Sequence, residues 1–172
     1  MSTGFKPAVG RPMRKLAAAT LCLLPLANPS NALTVTSNFT TQLTVTSACV
    51  INSTSTMDFG SQGVLTANVD TTSTLAVQCT NTTPYNIGLD AGLGTGATVA
   101  VRKMTNGSST INYSLYSDSG RTTVWGNTVG TNTVAATGNG ASQSYTVYGR
   151  VPAQTTPAAA AYTDAITVTV TY

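Results

Sequence analysis

The sequence lacks histidine and glutamate altogether, and charged residues make up only 8% of its 172 positions. Without histidine it can build neither a Ser-His-Asp or Cys-His catalytic arrangement nor a histidine-ligated metal site. Long apolar runs are also missing, because none approaches the about 20 residues that a membrane-spanning helix needs. So little charge is atypical of disordered chains as well. We therefore expect one globular domain that is rich in threonine and small residues.

The positive charge is concentrated at the N-terminus. The formal net charge is +3, and four of the eight cations lie within the first fifteen residues: Lys6, Arg11, Arg14 and Lys15. A mainly apolar run follows over 16–26, and Ser30-Asn31-Ala32 has the small-x-small pattern of a cleavage site. This order is typical of a secretory signal peptide. We therefore predict a signal peptide over 1–32, cleaved after Ala32, and an exported chain.

The exported chain is nearly neutral. Removing 1–32 leaves 140 residues with four cations and five aspartates, a net charge of −1. No basic patch remains that could neutralise phosphates, which excludes nucleic acid as a partner. Cys49 and Cys79 are left as an even pair, and such a pair in an exported protein predicts a disulfide. That bond would stabilise the fold by roughly 3–4 kcal/mol for a loop of about 30 residues.

Short stretches of period-two alternation dominate the exported chain, and 32 of its 140 residues are threonine, which favours strands. The clearest runs carry these apolar residues: Leu75, Val77 and Cys79; Tyr85, Ile87 and Leu89; Ile111, Tyr113 and Leu115; Tyr145, Val147 and Val151; Ile166, Val168, Val170 and Tyr172. Asn106-Gly107 predicts a hairpin turn. The proline- and alanine-rich stretch 152–161 predicts a loop or a single helical turn. Short strands separated by turns predict a β-sandwich.

Alternation is unusually long just after the predicted signal. Every even position from 34 to 46 is polar, and apolar residues fall at odd positions: Leu33, Val35, Phe39, Leu43, Val45, Cys49 and Ile51. At about 3.3 Å per residue this run would span about 60 Å, more than the width of a domain of this size. Two interpretations stay open. A bulge near Ser37-Asn38 divides the run into two strands of one sheet, or its first part is an extension that inserts into another molecule.

Other groupings of polar residues do not build a catalytic or ligand site. The segment 92–96 lacks the glycine spacing and the following helix of a nucleotide-binding loop. The five aspartates are scattered, mostly beside turn residues, which suits turn formation better than paired acid catalysis or a calcium loop. We therefore expect no enzyme activity, no catalytic residue, no cofactor and no metal site.

A series of short motifs runs through the exported chain: Ala48-Cys49-Val50-Ile51, Asp58-Phe59-Gly60, Val77-Gln78-Cys79-Thr80, Arg102 with Met104, Tyr113-Ser114-Leu115-Tyr116, Asp118, Trp125-Gly126, Tyr148-Gly149-Arg150-Val151-Pro152 and Tyr162-Thr163-Asp164. In this order, and over nearly all of 33–172, the chain resembles the spore coat protein U domain family, the pilin subunits of archaic (Csu-type) chaperone–usher pili.

The resemblance implies an incomplete immunoglobulin-like β-sandwich over 48–172 that lacks its final strand, preceded by a donor-strand extension over 33–47. The implied donor-strand residues are Leu33, Val35, Phe39 and Leu43, whereas Val45 could belong to the extension or to the first strand. The implied terminal strand beside the acceptor groove carries Ile166, Val168, Val170 and Tyr172. The family's disulfide falls on Cys49 and Cys79.

The function that the resemblance implies is that of a structural subunit of a surface pilus, which serves adhesion and biofilm formation. Its expected partners are a periplasmic chaperone, an outer-membrane usher and neighbouring pilin subunits in a head-to-tail homo- or hetero-polymer. Its expected location is a cell-surface pilus, or secreted, after export through the periplasm. The alternative is a self-contained secreted β-sandwich that binds carbohydrate or forms a coat layer.

Overall fold

The computed structural model describes residues 32–172, so the predicted signal peptide lies outside the described residues except for Ala32. This part of the chain contains no helix and eight strands: β1 (Cys49–Thr54), β2 (Val69–Cys79), β3 (Pro84–Leu89), β4 (Arg102–Asn106), β5 (Ser109–Tyr116), β6 (Val134–Thr137), β7 (Ser142–Val151) and β8 (Val168–Thr171). The predicted all-β fold is confirmed.

The strands form two antiparallel sheets that enclose one core. The five-stranded sheet has the order β1-β2-β7-β5-β4, and the three-stranded sheet has the order β6-β3-β8. The buried core consists of Leu65, Leu75, Val77, Cys79, Tyr85, Ile87, Leu89, Tyr113, Leu115, Trp125, Val147 and Val151. Most of these residues come from the alternating runs of the sequence, because alternate side chains of a strand face the same side of its sheet. The predicted β-sandwich is confirmed.

Two predicted connections are present. β4 and β5 form a hairpin whose last pair is Asn106 with Ser109, and Gly107 has a φ of 57°, which glycine adopts without steric cost. The segment 152–161 contains no strand and no helix. Just after it, Thr163 pairs with Thr105 of β4 through an isolated bridge. The connection from β7 to β8 therefore crosses from the edge of one sheet to the other sheet.

The N-terminal run is a strand only at its end. The chain divides into two compact units with the boundary after Gln42. In the first unit the described residues, 32–42, are irregular, and the second unit begins with six further irregular residues before β1. The large apolar side chains of 33–45 are all exposed: Leu33, Val35, Phe39, Leu43 and Val45. The bulge expected near Ser37-Asn38 in one interpretation is absent, and the register shift in β1 lies between Ile51 and Ser53.

A disulfide joins Cys49 of β1 to Cys79 of β2, as the sequence predicts. The two residues are also a cross-strand pair in the antiparallel ladder. β1 is one of the two edge strands of its sheet. The disulfide therefore tethers a strand that has a hydrogen-bonded neighbour on one side only.

Candidate functional site

An open groove with a largely apolar floor runs along one side of the sandwich. One wall extends from Thr54, the last residue of β1, to Phe59, and the other wall extends from Tyr162 to Val168, the first residue of β8. Its cavity volume is about 500 Å³. The floor is built from core residues of both sheets together with Met104: Leu75, Leu89, Met104, Tyr113, Leu115 and Val147. We call this feature the groove.

The groove continues into a larger pocket of about 810 Å³ beyond the N-terminal end of β8. The two cavities share five lining residues: Met57, Asp58, Phe59, Met104 and Tyr162. The wall of the larger pocket contains four consecutive alanines, Ala158 to Ala161, and the segment Gly60 to Leu65 faces them. Small side chains leave this part wide, and we call it the alanine-walled pocket.

The free edge of β8 borders the groove. In the three-stranded sheet β8 pairs with β3 alone, so within residues 32–172 its second edge has no strand partner. An unpaired edge presents a row of backbone donors and acceptors that can template another strand. Ile166 and Val168 line the groove beside this edge.

On the edge strands β1 and β8, apolar side chains that face the core are incompletely covered. Ile51 of β1 lies opposite Val77 in the ladder and faces the same side of the sheet, yet it is 41% exposed whereas Val77 is 0% exposed. In the same way, Val168 is opposite Leu89, and Val168 is only half-buried while Leu89 is buried. Ile51 and Val168 are therefore less covered than the core residues paired with them, and of the two only Val168 lines the groove.

One carboxylate, Asp164, lies in the groove wall and is tied to the floor. Its Oδ2 accepts a hydrogen bond from the Tyr113 hydroxyl at 2.8 Å. Its Oδ1 accepts hydrogen bonds from the backbone N–H groups of Leu93 at 2.8 Å and Ala165 at 2.9 Å. Burial raises the pKa of Tyr113, and the hydrogen bond to Asp164 raises it further. Tyr113 is therefore a neutral donor that holds Asp164 in place.

A buried arginine fastens the two sheets together behind the groove. Arg102, the first residue of β4, is fully buried. Its guanidinium donates to four backbone carbonyls: those of Asp90, Val99, Leu89 and Trp125, at 2.7, 2.8, 3.0 and 2.7 Å. Burial lowers the pKa of Arg102. Because every partner is a carbonyl of a neighbouring element, we interpret Arg102 as structural.

The predicted site residues do not all lie at the groove. Ile166 and Val168 line it, Val170 packs against the core farther along β8, and Tyr172 lies beyond β8 and is 60% exposed. β8 is also shorter than the predicted run, since Ile166 and Tyr172 fall outside it. Of the proposed donor residues, Phe39 is 87% exposed, and Leu33, Val35 and Leu43 are exposed to a similar extent.

Sequence reasoning missed the wall 54–59 and the alanine-walled pocket. The wall approaches β7 closely at Gly149, where a Cβ would meet the Met57 sulfur and would lie 3.0 Å from Phe59 Cζ. Both contacting segments belong to motifs of the sequence, Asp58-Phe59-Gly60 and Tyr148-Gly149-Arg150, but the sequence alone does not show that these motifs lie in contact. The absence of a side chain at Gly149 leaves the room that Met57 and Phe59 occupy beside β7.

Residues 32–172 were also searched for a metal site and for a membrane-spanning helix. No group of three or more Cys, Asp or Glu side chains lies close enough together there to hold a metal ion. No helix in the same range is long and apolar enough to cross a membrane.

Comparisons with known proteins are consistent with one another. A family model described as Spore Coat Protein U domain matches residues 35–169. Protein U of Myxococcus xanthus is 35% identical over 160 residues, which cover 84% of this chain and 89% of that protein.

A solved structure is also similar to this chain. It is the crystal structure of the CsuC–CsuE chaperone–tip adhesion subunit pre-assembly complex from archaic chaperone–usher Csu pili of Acinetobacter baumannii, with a TM-score of 0.55 and 26% identity. The match covers 75% of this chain and 40% of that one, so this chain spans less than half the length of its solved relative.

Proposed function

Because the chain belongs to the Spore Coat Protein U domain family, we propose that it is a structural subunit of a secreted surface pilus. A periplasmic chaperone first supplies a strand that fills the groove. At an outer-membrane usher, the N-terminal extension of the next subunit replaces that strand. The product is a head-to-tail fibre, which is the form that a heterologous, non-closing contact generates. The fibre serves adhesion and biofilm formation.

The observation that carries this proposal is the open groove beside the free edge of β8. A strand placed there would pair with the backbone of β8 and would cover Ile166 and Val168. This is strand addition, in which backbone hydrogen bonds supply affinity and pockets for alternate side chains supply specificity.

The N-terminal extension has the matching pattern. It presents apolar residues at alternate positions, and these side chains are exposed in this structure. From Leu33 to Leu43 a strand would span about 36 Å, long enough to pass β8 and reach the alanine-walled pocket. Burial of such side chains stabilises a complex by about 25 cal/mol per Å² of apolar surface removed from water. An extension of this kind therefore requires a partner.

The partners and the location follow from the same proposal. A solved structure similar to this chain is a complex of a chaperone with a tip adhesion subunit, and this chain carries a predicted signal peptide for export to the periplasm. Its partners are accordingly a periplasmic chaperone, an outer-membrane usher and neighbouring subunits. The role is structural, since the described residues supply a packed sandwich and an apolar groove.

A second candidate is a self-contained sandwich that forms a coat layer, which the name of the family favours. In that case the chain folds its own N-terminal run into the groove. The two functions differ in one observable, since the coat-layer protein is a stable monomer without any chaperone.

The proposed function is tested by comparing substitutions at the apolar positions of the extension with substitutions at its polar positions. The chain is co-expressed with a chaperone and usher of this class, and fibres are counted by electron microscopy. The variant Val35→Asp with Phe39→Asp should abolish the fibre, because two charges would have to enter an apolar groove. The control Thr34→Asp with Thr40→Asp changes the outward face by the same charge and should still polymerise. Normal fibres from the first variant would refute the proposed function.

A further inference from the structure

Asp164 is a carboxylate that a bound strand would remove from water. It lines the groove on the same wall as Ile166 and Val168, and these residues alternate toward the groove. The carboxylate accepts three hydrogen bonds, from Tyr113, Leu93 and Ala165. Two carboxylate oxygens offer about four acceptor sites, so one position remains for water in the open groove.

A wholly apolar strand is a poor occupant at this point. Covering a carboxylate without replacing its water costs free energy, and the cost is larger for a charged group than for a neutral one. A strand with a hydroxyl at that position would replace the water with a charge-assisted hydrogen bond. The groove thus favours an occupant with one polar side chain among its inward apolar residues.

The extension of this chain has this pattern. Its odd positions are apolar at Leu33, Val35, Phe39 and Leu43, and they are interrupted by Ser37 and Thr41. The occupant that fits is therefore a second copy of this chain, which brings a hydroxyl together with apolar residues on both sides of it.

The direction and the register of the inserted strand follow from placing its hydroxyl-bearing residue opposite Asp164. Every strand pair of this fold is antiparallel, and antiparallel pairing is slightly more stable per residue. With Ser37 opposite Asp164, Val35 lies opposite Ile166 and Leu33 opposite Val168. Phe39 then lies opposite Tyr162, at the alanine-walled pocket of about 810 Å³.

The competing antiparallel register places Thr41 opposite Asp164. It sets Ser37 against the aliphatic Val168 and moves Phe39 to Ile166, away from the alanine-walled pocket. This register therefore gives Asp164 a hydrogen-bond donor, but it places the Ser37 hydroxyl against an apolar side chain. It also leaves the alanine-walled pocket without the bulky side chain of Phe39.

We propose, resting on the proposed function, that the extension of a second copy runs antiparallel to residues 162–168, the segment that leads into β8 at Val168. In this register the Ser37 hydroxyl donates to Asp164. Asp164 is a register-determining residue, and Phe39 fills the alanine-walled pocket. The fibre is consequently able to form from this chain alone.

The register is tested by cross-linking. The exported chain carrying Ile166→Cys is mixed with synthetic peptides of residues 33–47 that carry Val35→Cys, Ser37→Cys or Phe39→Cys, and disulfide-linked product is measured by mass spectrometry. The chain without Ile166→Cys controls for exchange with the native disulfide. The Val35→Cys peptide should give most of the product. Preferential linkage through position 37 or 39 would overturn the register.

The hydrogen bond is tested by affinity. A peptide with Ser37→Val should bind the unmodified chain about tenfold more weakly, the cost of one unsatisfied acceptor. The matched control Thr41→Val should bind within about twofold of the parent peptide, since Thr41 faces the alanine wall. Equal effects of the two substitutions, or no effect of Ser37→Val, would refute the contact.

A double-mutant cycle shows whether the loss of affinity caused by Ser37→Val depends on Asp164. In a chain with Asp164→Leu the difference in affinity between the parent peptide and the Ser37→Val peptide should vanish. Because Asp164 also holds Tyr113 and Leu93, folding of this variant is checked first, and the cross-linking result stands without it. If the parent peptide neither binds nor cross-links, the proposed function fails. If it binds in another register, only this inference fails.

Discussion

Arg102 illustrates how a charged residue serves the fold when charge is scarce. Its guanidinium is fully buried and, among the described residues, has no acidic side chain within ion-pair distance. Its hydrogen bonds instead go to the backbone carbonyl of Leu89 in β3 and to three carbonyls of the connecting loops. A planar group with five N–H donors suits several diverging acceptors at once. One side chain therefore fixes the loops that position the groove floor.

We expect Arg102→Met to lower the free energy of unfolding by roughly 2–4 kcal/mol, since two buried and two part-buried carbonyls lose their donor. Urea unfolding followed by tryptophan fluorescence measures this, because Trp125 lies in the same cluster. The neighbouring Lys103→Met is the matched control and should change stability by about 0.5 kcal/mol or less. Similar losses for the two variants would contradict the structural role of Arg102.

At the scale of strands, β2 and β7 form the longest ladder of the fold and carry its main ion pair. Asp70 and Arg150 are a cross-strand pair, with Nε–Oδ1 and Nη2–Oδ2 distances of 2.7 and 2.8 Å. Arg121 lies 3.4 Å from the same carboxylate. The hydrogen bond from Arg150 lowers the pKa of Asp70 against the opposing effect of burial, and the charge of Arg121 lowers it further.

This lowered pKa predicts a pH dependence of stability. A carboxyl group with a lower pKa in the folded state stabilises the fold above its unfolded pKa, near 3.8, and this contribution is lost as the pH falls through the folded value. Asp70→Asn should therefore make the free energy of unfolding less dependent on pH below about pH 4. Urea unfolding between pH 2 and pH 7 measures the slope.

Arg150→Gln provides the control for that prediction, because removal of the partner should abolish most of the same slope while leaving Asp70 in place. Some acid sensitivity should remain in both variants, since hydrogen bonds also lower the pKa of Asp118 and, against burial, that of Asp90. A wild-type slope in Asp70→Asn would show that this ion pair does not govern the acid range.

At the scale of the molecule, an open groove lies beside the free edge of β8, and residues 33–48 form no strand within the part of the chain that the structure describes. The exported chain is nearly neutral, so electrostatic attraction contributes little to the choice of partner. Under the proposed function, association comes instead from apolar burial and from backbone pairing beside the free edge of β8. Both terms are largely independent of salt, unlike contacts between surface charges.

We expect a peptide of residues 33–47 to raise the thermal midpoint of the exported chain. A ligand that binds only the folded state stabilises it by about 2.7 kcal/mol at about one hundred times its dissociation constant. Differential scanning calorimetry measures the shift. A peptide with Val35→Asp and Phe39→Asp should leave the midpoint unchanged, and a shift with this control peptide as large as with the parent would indicate nonspecific binding.

The strands that form the core were predictable because alternation is a local property of the sequence. Tyr85, Ile87 and Leu89 face one side of β3 as their spacing requires, and Asn106-Gly107 turns the chain where a hairpin needs a positive φ. The pair Cys49 and Cys79 was predictable from number and context alone. β8 was predicted too long, because periodicity continues at Ile166 and Tyr172 where no partner strand accompanies the backbone.

The sequence by itself determined most of the core strands, the apolar face of each of them and the cysteine pair, whereas residues 33–48 alternate just as regularly and form no strand within this chain. Only the tertiary structure decided which apolar faces stay uncovered, because that depends on which sheet edges meet. The same holds for Asp164, whose partners Tyr113 and Leu93 are distant in sequence, and for the four carbonyls around Arg102. Alternating residues reveal a strand, but pairing between distant segments decides whether that strand finds its neighbour within its own chain or requires one from another.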